Sequence, residues 1–150
     1  MSMIPTTGPN NGLEPRAQTA RLTAYAALSK GDLVAISTVV TDGRFATTIA
    51  VNDDAGTTTA DNATGIFAVA LESIASGAEG MFALAGIVDV LIEGAPGLGI
   101  AMTAQGGSGK DAVTAVVNDK ILGYMLEAGV DATTKSMMFD GYNGFGVKGA

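Results

Sequence analysis

The stretch TGIFAVALESIASGAEGMFALAGIVDV, residues 64–90, holds two apolar runs whose short connection is bracketed by Gly77 and Gly80. In the first run Phe67, Val69 and Leu71 recur at every second position. In the second, Phe82, Leu84, Val88 and Val90 read as one face. Side chains alternate across a strand with period two, so the pair predicts a β-hairpin whose shared apolar face fills a core. Glycine supplies the positive φ that a tight connection requires. Gly86, inside the second run, marks a bulge or a close backbone approach.

The same grammar recurs along the chain. In RFATTIAVN, residues 44–52, Phe45, Thr47, Ile49 and Val51 fall on one face and Ala46, Thr48 and Ala50 on the other, which again indicates a strand. LVAIS after the turn Ser29-Lys30-Gly31-Asp32, LGIAMTA before the Gly-rich QGGSGKD, and SMMFDGY and GFGVK near the end are further short β-pieces. RLTAYAALSK suits a strand or a short helix and is read as a strand. ILGYMLEA is read as a strand, and residues 111–118 are left open. Many short strands between glycine turns, without a βαβ rhythm, define an all-β class, a small β-barrel or sandwich with room for one short helix. At 150 residues the chain is of single-domain size. Residues 1–20, with Pro5, Pro9, Pro15 and isolated Ile4 and Leu13, form an extended N-terminal arm; residues 21–150 form the β domain.

Composition removes several classes of function. The net charge is −7 with no cluster of Lys and Arg, which argues against binding nucleic acid by phosphate neutralisation. No apolar run approaches the roughly 18 residues of a spanning helix, and MSMIPTTGPNNG lacks a signal peptide's basic and apolar regions, so a soluble chain without membrane partners is expected. Cysteine and histidine are both absent, so a Ser-His-Asp triad, a Cys-His pair and ordinary zinc ligation are unavailable.

The remaining polar motifs are weak. Glu72, Glu79, Asp89 and Glu93 could in principle supply the two carboxylates of a glycosidase, about 5–10 Å apart, but they fall at turns and strand ends where solvated acids sit. Gly106-Gly107-Ser108-Gly109-Lys110-Asp111 resembles a phosphate loop but has Ala104 where the first glycine is needed and Asp111 where Ser or Thr would hold magnesium. NDDAGTTTADN offers oxygen ligands for calcium but lacks the order of an EF-hand loop. The seven methionines, Met137 and Met138 among them, suit gap-filling in a core of small residues. No catalytic, cofactor or metal residue is assigned, and the chain is expected not to be an enzyme.

Lys30-Gly31-Asp32-Leu33-Val34, Gly65 to Ala70, the turn Ser73 to Gly80, Gly86 to Val90 and Ile121 to Ala128 together resemble the capsid decoration, or cement, proteins of tailed bacteriophages. In that family a K-G-D-x-V strand start, an apolar strand, a glycine turn, a G-x-v-x-V strand and an "iGyaLea" strand follow in this order. The resemblance spans about residues 25–140. It implies a β-barrel or β-tulip domain, commonly a homotrimer, on the outer surface of a virion made in the host cytoplasm. There it would clamp neighbouring major capsid subunits. Ile4, Pro5, Leu13, Pro15 and Arg16 of the arm are the candidate capsid contacts, an extended segment being able to add to an exposed strand edge. The competing expectations are another phage structural component (tail-tube, fibre-base or head-completion protein) and a carbohydrate-binding module.

Overall fold

The computed structural model describes residues 18–41, 44–49, 63–105 and 109–150. The candidate contacts Ile4, Pro5, Leu13, Pro15 and Arg16, the 52–62 part of the acidic loop and Gly106–Ser108 lie outside the described residues. Nine strands follow in chain order: β1 (Gln18–Thr23), β2 (Leu33–Thr41), β3 (Arg44–Ile49), β4 (Ala63–Ala70), β5 (Glu79–Ile92), β6 (Ala101–Ala104), β7 (Ala112–Thr114), β8 (Gly123–Met125) and β9 (Thr133–Asp140). The fold is all-β. The short helix for which the sequence left room does not occur among the described residues. RLTAYAALSK leaves its strand at Thr23, and residues 111–118 become β7 and a turn. β1 begins inside the segment assigned to the arm, at Gln18.

Strand pairing closes on itself twice. The order β1-β3-β2-β4-β5 returns to β1 through a β1–β5 pairing, and β5-β7-β6-β8-β9 returns to β5 through β5–β9. Each ring therefore has five strands, and β5 belongs to both. Its first half pairs with β1 and β4, and its second half with β9. Closure of this kind removes the unpaired edges that make open sheets prone to aggregation.

The two rings are the same circuit. Each has one parallel pairing, β1–β3 in the first and β5–β7 in the second, and antiparallel pairings elsewhere. The registers also correspond: Leu33↔Val69 and Val34↔Ala68 match Ala101↔Tyr124 and Met102↔Gly123. Ala70↔Phe82 matches Met125↔Met137, and Ala20↔Phe82 matches Val88↔Met137. Even the chain's exits agree. Leu71 donates its N–H to Met81 O as Leu126 does to Ser136 O, each at 3.0 Å. The next residue, Glu72 or Glu127, accepts the N–H of Met81 or Ser136.

Each ring encloses its own apolar cluster. Leu22, Val34, Ile36, Ala68, Ala70 and Phe82 fill the first, with Leu28 and Ile74 closing it from their loops. Val88, Val90, Ile92, Met102, Met125, Met137 and Phe139 fill the second. Residues 33–37 of β2 and 67–70 of β4 are buried on both faces, Leu33, Ala35, Phe67 and Val69 joining the second cluster while Val34, Ile36, Ala68 and Ala70 join the first. That is why LVAIS and IFAVA read as continuous apolar runs instead of alternating with polar residues.

The hairpin departs from its expected single face. Phe82 is buried in the first cluster and Leu84 packs against it, whereas Val88 and Val90 belong to the second. Gln18 pairs with Ala85 but Thr19 with Ala83, so Leu84 is an extra residue. An inserted residue reverses which face the following side chains occupy. Gly86, two positions on, has φ +116° and accommodates the local turn of the strand.

Candidate interaction surface

The rings differ in what lies on them. In the first, the turn Ser29–Asp32 leads into β2. Gly31 has φ +96° and donates to Ala70 O at 2.8 Å, while Asp32 O accepts the N–H of Ala70 at 2.9 Å. The turn Gly97–Ile100 leads into β6 in the same way: Gly99 has φ +79° and donates to Met125 O at 2.8 Å, and Ile100 O accepts the N–H of Met125 at 3.0 Å.

Around Gly31 the second ring closes in. Gly31 O accepts the N–H of Leu91 at 2.8 Å, Leu33 donates to Lys110 O at 2.7 Å, and a Cβ on Gly31 would meet Thr134 Cγ2 at 2.5 Å. Around Gly99 no described residue plays that part; a Cβ there meets no described atom within 4 Å. The neighbouring side chains are left in solvent, Leu98 at 70% and Ile100 at 38% exposure.

A cleft of about 420 Å³ opens beside this turn, lined by Gly99, Ile100, Ala101, Thr114, Ala115, Ile121, Tyr124, Lys148 and Gly149. One wall is the C-terminal segment, tied to residues 118–121. Ile121 donates to Gly146 O and Phe145 to Ile121 O, both at 2.8 Å, and Lys148 donates to Asp119 O at 2.8 Å. Val147 makes a single bridge with Lys120 where GFGVK suggested a strand. Phe145 meets Tyr124 edge to face with centroids 5.3 Å apart, a favoured aromatic geometry.

The turn 116–119 lies against that same segment, Asn118 donating to Lys148 O at 2.9 Å. There Asp119 is buried, its Oδ2 accepting the Val116 N–H at 2.9 Å, and Asn118 takes φ +78°. This holds Val116 and Val117 outward. Leu98, Ile100, Phe145 and Val147 are exposed as well. The cleft, with exposed apolar side chains at its sequence neighbours Leu98, Val116 and Val147, is the candidate interaction surface.

The acids weighed as catalytic candidates have structural partners. Glu79 pairs with Arg21 at 2.8 Å, Asp89 accepts from Ser136 Oγ at 2.9 Å, Glu93 accepts from Gln105 Nε2, and Glu72 accepts the N–H of Met81 at 3.0 Å. Lys110 of the glycine-rich loop donates to Ala27 O at 3.0 Å and lies 4.0 Å from Asp32.

Two carboxyls are perturbed. Burial, with the carboxylates of Glu93, Asp131 and Asp32 nearby, pushes Asp111 above its ordinary range, and its Oδ1 is buried without a hydrogen-bond partner. The Ser136 backbone N–H, with smaller help from the Ser136 side chain and Lys135, holds the exposed Glu127 below its ordinary range. Among the described residues no group of three or more Asp or Glu converges as a metal site would require.

The hairpin residues assigned to the core, Phe67, Val69, Phe82, Val88 and Val90, are buried, and Leu71 and Leu84 are partly buried against the two clusters. The cleft was missed, because its lining is dispersed in sequence at Ile100, Thr114, Tyr124 and Lys148 and comes together only in the folded second ring. A heuristic signal existed: Val116-Val117 is an apolar pair directly before Asn-Asp, a turn-forming dipeptide that places it at a loop.

No protein-family model matches the chain, and no curated protein matches it. A solved structure does: the head fibre gp8.5 N base of bacteriophage phi29, at 15% sequence identity and a TM-score of 0.57, over 83% of this chain and 95% of that one. The likeness establishes the fold, a closed five-strand barrel with additional strands, over nearly all of that base.

Proposed function

We propose that this chain is a structural component of a tailed-phage head, carried on the outside of the shell, where it acts by binding and not by catalysis. The observation that carries the reading is the fold shared with a head-fibre base across 95% of that protein. The decoration-protein motifs support it, as do an acidic chain that need not approach DNA and the lack of histidine and cysteine. Residues 1–17 precede β1 and would supply the attachment, adding main-chain hydrogen bonds to a strand edge of a major capsid subunit, with Ile4 and Leu13 as side-chain anchors. Binding only the assembled shell stabilises that shell by mass action, which is the physical content of a clamp.

A second reading has a specific observation in its favour. The solved neighbour is a fibre base, so the barrel could seat a fibre instead of clamping subunits. Adding the purified full chain to heads that lack it separates the two. A clamp binds in many copies and raises the temperature at which heads release DNA, and deletion of residues 1–17 abolishes attachment. A fibre base binds heads without changing that temperature. Failure to bind heads at all would remove both readings.

A further inference from the structure

We infer that Asn143-Gly144 is a self-modifying site, at which the asparagine side chain closes onto the following main-chain nitrogen and the chain passes to aspartyl and isoaspartyl forms. The chemistry needs an exposed asparagine, a next residue with no side chain to shield its nitrogen, and a main-chain N–H not spent on a hydrogen bond. Asn143 is exposed. Asp140 Oδ1 accepts the N–H groups of Tyr142 and Asn143, each at 3.0 Å, and the next N–H, that of Gly144, has no partner among the described residues. Asn118-Asp119 is the internal contrast. There the second residue carries a side chain, is buried, and donates its N–H to Val116 O at 3.0 Å.

In the first step Gly144 N gives its proton to solvent and bonds to Asn143 Cγ, while the Cγ–Nδ2 bond breaks and the nitrogen leaves as ammonia with a proton from solvent. The product is a cyclic imide. Water then opens it: cleavage at the Cγ–N bond gives an ordinary aspartate, and cleavage at the Asn143 carbonyl carbon gives an isoaspartate whose main chain runs through Cγ. Water is the only co-reactant, and exchange of ammonia for water leaves each product about 1 Da heavier. The position decides the consequence. Gly144 has φ +69°, and a Cβ on it would lie 2.9 Å from Ile121 O, so the main chain passes here in close contact with residues 120–121. Directly beyond, Phe145 donates to Ile121 O and Ile121 to Gly146 O, and this paired segment is the wall of the cleft. An isoaspartate puts an extra main-chain carbon just before that register. The wall is thereby released, and the cleft opens irreversibly as the protein ages.

The inference stands whether or not the chain attaches to a phage head, and its test needs no head. The folded full chain is held at mildly alkaline pH, sampled over time, and cleaved after lysine and arginine for mass analysis. Fragment 136–148, SMMFDGYNGFGVK, holds Asn143 alone; Asn118 and the Asn11-Gly12 pair fall in other fragments. Fragment 136–148 should gain the expected mass and split into two chromatographic products, while 111–120, with Asn118, keeps its mass. Asn143→Gln, a change at an exposed side chain, should keep the circular dichroism of the folded chain and hold 136–148 at its starting mass. Amide exchange at Ile121 and Phe145 should speed up in the aged wild type. It should stay slow in Asn143→Asp, which carries the new charge without the extra main-chain carbon. An unchanged mass for 136–148, or equal conversion of 111–120, would overturn the site. Exchange that does not change on ageing, or that is as fast in Asn143→Asp as in the aged chain, would overturn the release of the cleft wall by isoaspartate.

Discussion

Two rings with one topology meet different fates in this molecule. The first has the outer face of Leu33, Ala35, Phe67 and Val69 sealed by the second, with Gly31 buried; in the second the matching Thr103 and Leu122 are buried too, and only the end at Gly99, with Ala101 and Tyr124, is partly exposed. Repetition of a backbone circuit therefore does not repeat an environment. What changes is the side-chain chemistry on the repeated frame. Leu33 and Val69, fully buried between rings, correspond to Ala101 and Tyr124, which are only partly buried. A small residue and a phenol with a polar tip suit a surface that is sometimes wet.

The comparison is most severely strained by Phe82→Ala. Phe82 is fully buried in the first ring but sits on the strand that both rings share. Its truncation should cost about 3–5 kcal/mol. Because β5 cannot leave one ring and stay in the other, urea titration should still show one transition at a lower midpoint. Two separated transitions would show that the rings are independent units.

A smaller contrast sets Gly123 against its counterpart Ala68. A Cβ at Gly123 would lie 2.4 Å from Met138 O, a backbone atom with little room to move, whereas Ala68 already carries one in the first ring. Gly123→Ala should destabilise by about 1–3 kcal/mol through overpacking. Ala68→Gly should cost about 1 kcal/mol, as loss of a methyl and added chain entropy suggest. Equilibrium unfolding of both variants measures the difference.

Gly31→Ala and Gly99→Ala sharpen the comparison further. Both place a side chain at positive φ, a penalty of roughly 1–2 kcal/mol, so that part cancels. Gly31→Ala must in addition displace Thr134 and should be the more destabilised of the two. Equal losses would mean that the covered and open faces are energetically alike.

The smallest effect is a pH dependence. Asp111 has its pKa raised on folding, chiefly by burial, so the folded state favours its protonated form. Its contribution to stability is fully present below the unfolded carboxylate pKa and is lost as pH rises through the raised folded value. Asp111→Asn should therefore raise the melting temperature slightly at neutral pH, with the advantage over wild type shrinking on acidification. An advantage that grew on acidification would contradict the assigned sign.

Much of the frame was legible in the sequence. β3, β4 and the first half of β5 follow from period-two alternation, and Gly77, at φ +81°, lies in a turn as its placement suggested; Gly80, read as the other bracket of a tight connection, lies inside β5 and the connection runs over residues 71–78. The repeat was not legible, because the two cores hold their volume with different side chains. Val34 corresponds to Met102, Ile36 to Ala104, Ala70 to Met125 and Phe82 to Met137. Cores fix apolar character and total volume more tightly than identity, and methionine adapts readily to such gaps. Only local remnants such as Leu71-Glu72 and Leu126-Glu127 survive in the letters. ILGYMLEA shortens to three strand residues for the same reason: Glu127 is spent on the Ser136 N–H where the chain leaves the sheet. The reversal of face within β5 was hidden because an extra residue at Leu84 looks in sequence like any other apolar position.

The contrast between the two turns is the central claim, and amide hydrogen exchange over residues 29–33 and 97–101 tests it directly. Slow exchange is expected at 29–33, beneath the second ring, and faster exchange at 97–101. Equal rates in the two segments would contradict the contrast.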